Sequence, residues 1–168
     1  MKHLILTLAL ILPLSVGAYD PDHLTLLKET NECPKCDLSG ANLKGANLKG
    51  TNLWYAKLMG ADLNGANLEG ANLYGADLEN ANLYGANLRG VDLENANLKD
   101  ANLKNANLKD AYLQGANLEV ANLKGANLEW ANLEWANLQG ANTDYATMKG
   151  AILCNTTMPD GTKDNSGC

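Results

Sequence analysis

Ala61-Asp62-Leu63-Asn64-Gly65-Ala66-Asn67-Leu68-Glu69-Gly70-Ala71-Asn72-Leu73-Tyr74-Gly75 is one five-residue block written three times. Working outward, the chain from Cys36 to Asn155 divides into 24 such blocks without insertion or deletion. The first position is Ala in 21 of them, with Cys36, Thr51 and Val91 as exceptions, and the third is Leu in 22, with Thr143 and Met148 as exceptions. The second is Asn in 16 and Asp in four, Asp37, Asp62, Asp77 and Asp92. These second positions and the variable fourth ones are expected to face water. The fifth is most often Gly, otherwise mainly Asn or Asp, residue types that tolerate the backbone of tight turns.

A period of five matches neither the 3.6 of a helix nor a sustained alternation of two. Within a block, apolar-polar-apolar reads as a three-residue strand with its first and third side chains on one face, followed by a two-residue corner. Each block is then one side of a polygon. Stacking the turns about 4.8 Å apart lets backbone groups pair along the axis while Ala and Leu fill the interior, which makes a solenoid.

The blocks Ala61-Asp62-Leu63 and Ala76-Asp77-Leu78, with nearly all the others, match the signature A-[DN]-L-x-x, and residues 36–155 resemble the pentapeptide repeat proteins. The resemblance implies an all-β fold, a right-handed quadrilateral parallel β-helix with four blocks to a coil. The 24 blocks then make about six coils, a rod of roughly 29 Å. Its open ends need covers, because they bare unpaired backbone groups and the end of the Leu column. Leu24, Leu27 and Lys28 behind Asp20-Pro21 predict a short helical cap within residues 19–35, and residues 156–168 are expected to fold back as a C-terminal cap.

Residues 1–18 read as a cleavable secretory signal: Lys2, the apolar run Leu4 to Leu14, and the small-residue exit Val16-Gly17-Ala18. Cleavage would lower the net charge from -6 to -7 by removing Lys2. The expected location is outside the cytoplasm, periplasmic, lumenal or secreted, with no membrane association after cleavage. An acidic chain lacks the basic patch that nucleic acid requires, so none is expected as a partner.

Cys33, Cys36, Cys154 and Cys168 fit that location as disulfides. With Cys36 opening the first coil and Cys154 in the sixth, about 24 Å apart, bonds between the two ends and a shared zinc site are both excluded. Cys154 faces outward, within reach of a returning tail that carries Cys168. Cys33 and Cys36 either close a small loop that pins the cap or form a redox-active dithiol; the βαβ setting of thioredoxin-like motifs is absent.

No catalytic residues, metal or cofactor are expected. After signal removal His23 is the only His, and Ser39 and Ser166 are the only Ser. Insertion-free blocks also build no cleft. Asp160-Gly161 with Asp164 reads as a turn before it reads as a calcium loop. Charges at every twentieth residue, such as Glu79, Lys99 and Glu119, or Lys49, Glu69, Arg89, Lys109 and Glu129, read as solvated cross-coil pairs. Five of the eight repeat aromatics, Trp54, Tyr55, Tyr74, Tyr112 and Trp135, fall on one face, the candidate interaction face. The reading is a monomeric, non-enzymatic scaffold or protein-interaction module with an unspecified protein partner. The alternatives are a thiol-redox role for Cys33 and Cys36 and the DNA mimicry by which some pentapeptide repeat relatives inhibit topoisomerases; for that, Lys is too freely mixed with Glu.

Overall fold

A five-residue block has five backbone N–H groups to satisfy, and block 71–75 satisfies all of them. Asn72 N–H donates to Thr51 O of the preceding coil at 2.9 Å, and Leu73 and Gly75 donate to Asp92 O and Glu94 O of the following coil at 2.7 and 2.8 Å. Ala71 N–H closes the preceding corner onto Leu68 O at 3.0 Å. The fourth, Tyr74 N–H, finds no carbonyl and donates instead to the side chain Oδ1 of Asn72 at 3.0 Å. Buried or half-buried backbone donors are rarely left without partners, and here one side chain completes the set.

This computed structural model describes residues 19–168, so the signal reading of residues 1–18 lies outside the described residues. The second residue of each block pairs in parallel with the residue twenty positions on, from Glu32 with Asn52 to Asn137 with Thr157. Pairing therefore starts one block before Cys36 and ends one block after Asn155. The three-residue strands expected from the sequence shorten to single paired residues, because the corner consumes the rest of each block. Each corner is a β-turn whose third residue, the fifth of the block, has positive φ, for example +63° at Gly65 and +58° at Asn80. Gly and Asn suit that conformation, whereas Val120 holds φ +59° against the preference of a β-branched residue.

First and third positions point inward as expected. Leu53 to Leu138 at third positions are fully shielded, as are the Ala side chains beside them, and they form one continuous core. Each buried Leu contributes about 1.5–3 kcal/mol before chain entropy is set against it.

The second position departs from expectation. Its Asn and Asp side chains are mostly half-buried, and they bond from coil to coil as well as within the block. Asn87 Nδ2 donates to Asn67 Oδ1 at 3.0 Å, while Asn87 Oδ1 accepts from Arg89 N–H at 3.3 Å and from Asn107 Nδ2 at 3.2 Å. These residues are structural acceptors, not a solvated surface.

Helix α1 (Pro21–Thr30) covers the first coil. Asp20 caps it by accepting Asp22 N–H at 2.9 Å, Pro21 sits in the first turn, and Asn31 ends it at φ +58°. Leu27 is buried in the core, with Tyr19 and Leu24 packed against it. Asp20 N–H donates to Asp37 O at 3.1 Å, and Asp37 N–H donates to His23 Nδ1 at 3.0 Å, so the cap supplies the partners of a missing coil. Between the helix and the first coil a hollow of about 270 Å³ remains, lined by Leu27, Leu43, Ala46 and Leu48. At the other end β1 (Thr156–Thr157) pairs antiparallel with β2 (Lys163–Asp164), and the tail folds back over the last coil.

Replacing Asn87 by Ala strands Arg89 N–H and cuts two cross-coil bonds. The expected loss is about 1–3 kcal/mol in chemical unfolding. A loss within the ordinary surface range of about 0.5 kcal/mol would show the side-chain ladder to be dispensable.

Candidate functional site

Stacking at twenty-residue intervals brings part of the aromatic set together. Trp54 and Tyr55 meet edge to face with ring centroids 5.3 Å apart, and Tyr55 meets Tyr74 in the same way at 5.6 Å. Such pairs contribute about 0.5–1.5 kcal/mol beyond the area they bury. Lys35 Nζ lies 4.7 Å from the centre of the Trp54 ring. Tyr55 occupies a fifth position with φ +53°, and its ring lies against the corner of the next coil at Gly75. A Cβ on Gly75 would come 2.5 Å from Tyr55 Cε1, so the absence of a side chain there makes room for the ring. Tyr112 and Trp135 are exposed on the same face without joining this ring cluster. Trp135 donates its indole N–H to Glu134 Oε1 at 3.2 Å.

Tyr112 stands where most blocks have Asn, so it offers no acceptor to Gln114 N–H. Gln114 Oε1 is also buried without a partner. The face carrying Tyr112 is thus the least self-satisfied. Among the described residues its second positions, Asn52, Asn72, Asp92 and Asn132, make no side-chain bonds from coil to coil, whereas the other three columns do, for example Asn82 to Asp62, Asn87 to Asn67 and Asn97 to Asp77. Recognising that difference from the sequence would have required knowing what the second position does elsewhere.

The cysteines are bonded in pairs at each end. Cys33–Cys36 has Cα atoms 5.3 Å apart, and Cys154–Cys168 has them 4.8 Å apart. Cys33 and Cys36 are both buried, and Cys33 Sγ lies 3.2 Å from His23 O under the helix. No group of His, Cys, Asp or Glu among the described residues could hold a metal ion. No helix among the described residues is long and apolar enough to cross a membrane. Asp160 and Asp164 serve turns: Asp160 Oδ1 accepts from Thr162 N–H at 2.9 Å and from its hydroxyl at 2.7 Å, and Asp164 Oδ1 accepts from Ser166 N–H at 2.8 Å.

The charge columns pair in part. Lys49 meets Glu69 at 3.3 Å, Lys99 meets Glu119 at 3.1 Å and Lys109 meets Glu129 at 3.6 Å. Arg89 leaves its column and meets Asp110 at a corner, at 3.4 Å, and Glu79 accepts from Asn97 Nδ2 at 3.2 Å instead of pairing with Lys99. All are solvent-exposed pairs of small energetic weight.

Two expectations follow. Gly75→Ala and Gly65→Ala share nearly the same φ, but nothing lies within 4 Å of a Cβ at Gly65. Both should lose about 1–2 kcal/mol to the left-handed backbone, and Gly75→Ala a further 1–3 or so from the clash with Tyr55. Equal losses in urea unfolding would mean the ring moves away without cost.

The second concerns acid. Asp37 is held below the usual carboxylate range chiefly by the Ser39 side chain, Asp160 by the Thr162 hydroxyl and Asp164 by Ser166 N–H. A carboxylate lowered on folding stabilises the protein above its unfolded value, and that contribution disappears as pH falls through the folded one. As pH falls below about 4, amide protection factors near Asp37 and in residues 156–168 should therefore drop before those in residues 81–110. A simultaneous drop along the whole chain would contradict it.

Comparison with known proteins places the chain in context. A family model described as pentapeptide repeats matches eight copies, over residues 35–65, 61–100, 101–140 and 131–160. The chain is 37% identical to HetL, a pentapeptide repeat protein involved in heterocyst differentiation regulation from Nostoc sp. strain PCC 7120; the match covers 79% of this chain and 66% of that one, with a TM-score of 0.36. It is 35% identical to the pentapeptide repeat protein Rfr23 from Cyanothece 51142, covering 77% of this chain and 92% of that one, with a TM-score of 0.30. No curated protein matches it. Pentapeptide repeat proteins fold as right-handed quadrilateral β-helices and are generally non-enzymatic structural or interaction proteins. The five-residue period, the inward Leu column and a family match running from residue 35 to residue 160 establish that this chain belongs to the pentapeptide repeat family.

Proposed function

We propose that the chain is an exported, monomeric, disulfide-capped β-helix of about six coils that works as a rigid interaction module outside the cytoplasm, periplasmic, lumenal or secreted. The observation that carries this reading is the aromatic cluster in which half-buried Trp54 and Tyr74 hold the exposed Tyr55 in edge-to-face contact on the stack. Tyr112 and Trp135 extend the same face. Aromatic groups anchor partners well because they offer large area with few torsions to freeze.

Export is supported by the two disulfides, whose chemistry belongs to oxidising compartments. The same bonds favour a structural role for Cys33 and Cys36 over a redox one. Exchange requires a thiolate to reach a sulfur, and these cysteines are buried beneath the cap. DNA mimicry would need a continuous run of negative charge, and the surface instead interleaves acids with lysines in pairs such as Lys49 with Glu69 and Lys99 with Glu119.

The oxidised protein, used as bait in an extracytoplasmic extract, should retain a protein partner. A variant with Trp54, Tyr74 and Trp135 changed to Ala, still folded by circular dichroism, should lose it. Equal recovery by both proteins, or by neither, would remove protein capture as the role of the aromatic face.

A further inference from the structure

Asn52, Asn72 and Asp92 sit at second positions of three successive coils, and Trp54, Tyr55 and Tyr74 occupy the corners beside them; together they line an open cleft of about 480 Å³. Its length along the axis, two coil spacings, is about 10 Å. The inference here rests on the reading of this face as a binding surface and gives it a ligand class.

The polar side of the cleft is half spent and half free. Asn52, Asn72 and Asp92 each use Oδ1 to accept the N–H of the fourth residue of their block, Trp54, Tyr74 and Glu94. In the other columns most of the remaining amide nitrogens donate to the neighbouring coil, as in Asn82 to Asp62 and Asn97 to Asp77, with Asn42, Asn47, Asn127 and Asn142 as exceptions. Here no such bond forms, so Asn52 Nδ2 and Asn72 Nδ2 remain as donors and Asp92 Oδ2 as an acceptor, at the axial spacing of the coils. The apolar side is held in place. Tyr55 is seated on Gly75 and flanked by both other rings, and Tyr74 Oη accepts from Asn95 Nδ2 at 3.4 Å. A site whose side chains are already ordered spends less entropy on binding.

A matching ligand must offer apolar faces to the rings and, along its edge, groups that both donate and accept. Hydroxyl groups do both, and the faces of a hexose ring carry C–H bonds. The coil spacing of about 4.8 Å is comparable to the repeat of an extended hexose chain. A proline-rich peptide would also suit aromatic rings, but its prolines offer carbonyl acceptors alone and would leave Asp92 Oδ2 unmatched. We propose that the Trp54–Tyr55–Tyr74 cleft binds a neutral, extended saccharide, engaging about two hexose units through ring stacking and through Asn52, Asn72 and Asp92.

The test is calorimetric titration of the oxidised full protein with cellohexaose and with N-acetylchitohexaose, beside a decaproline peptide. At least one saccharide should bind saturably with Kd below about 1 mM. Tyr74→Ala and Asn72→Ala should each weaken it about tenfold or more, while Tyr84→Ala, on another face, should not. Because an altered stack could unfold, the unmodified protein is also followed by NMR, where the Trp54 indole N–H resonance should shift on titration and that of Trp130 should not. Absence of saccharide binding, binding unaffected by Tyr74→Ala and Asn72→Ala in folded proteins, an unmoved Trp54 resonance, or decaproline binding in place of saccharide would each overturn the proposal. Capture of a protein partner through the aromatic face reads a different ligand, so either idea can fail while the other survives.

Discussion

In most blocks the backbone of this architecture is completed by the hydrogen bond from the fourth N–H to the side chain of the second residue. Three of the five donors have carbonyl partners in neighbouring coils and one closes the corner, as in block 71–75. The fourth has no carbonyl within reach. Without the Asn or Asp oxygen every block would carry an unmatched donor against a half-buried surface, a cost of about 1–3 kcal/mol repeated along the chain. The identity of the second residue is therefore set by backbone accounting, and its cross-coil amide bonds are a gain that follows from being there.

The fifth position answers a different constraint. Turning the chain after every three residues demands a left-handed corner, and Gly supplies it most cheaply. Where the corner above is bare, a larger corner side chain leans along the stack onto it: Tyr55 on Gly75, Asn95 on Gly115, Asn105 on Gly125 and Trp130 on Gly150. The pattern is not obligatory, since Trp135 stands below Asn155 and Asp110 below Trp130. At the four glycines named, however, the corner residue of one coil restricts what its neighbour can carry.

How much of this the sequence disclosed follows from what kind of information it was. The inward Leu and Ala and the corners are local properties of a period, and the cap helix is a local property of its own Asp-Pro start and Leu spacing, so all are legible directly. The second positions look solvent-facing because Asn and Asp are polar; their structural duty emerges only when each N–H is assigned a partner. Register places Arg89 in its column, but a long side chain can cross to a corner, and it meets Asp110. By register the aromatic set is five residues on one face. Whether rings touch depends on position within the block and on coil separation, and Trp54, Tyr55 and Tyr74 meet whereas Tyr112 and Trp135 stand apart.

The column that carries the aromatic cluster is also the column whose side chains do not bond from coil to coil. Tyr112 interrupts that column, Asp92 brings a carboxylate that cannot donate, and the Asn52 and Asn72 side chains bond only within their own blocks. The other three columns spend the same groups on holding coil to coil. A repeat protein whose blocks were all optimised for stability would have a ladder on every face and no free polar group anywhere. The other three faces come near that standard, with Asn42, Asn47, Asn127 and Asn142 donating to no neighbouring coil, and the fourth leaves its donors unspent beside ordered rings. Stability and recognition are thereby divided between faces, which a solenoid permits because each column contributes nearly independently to the stack.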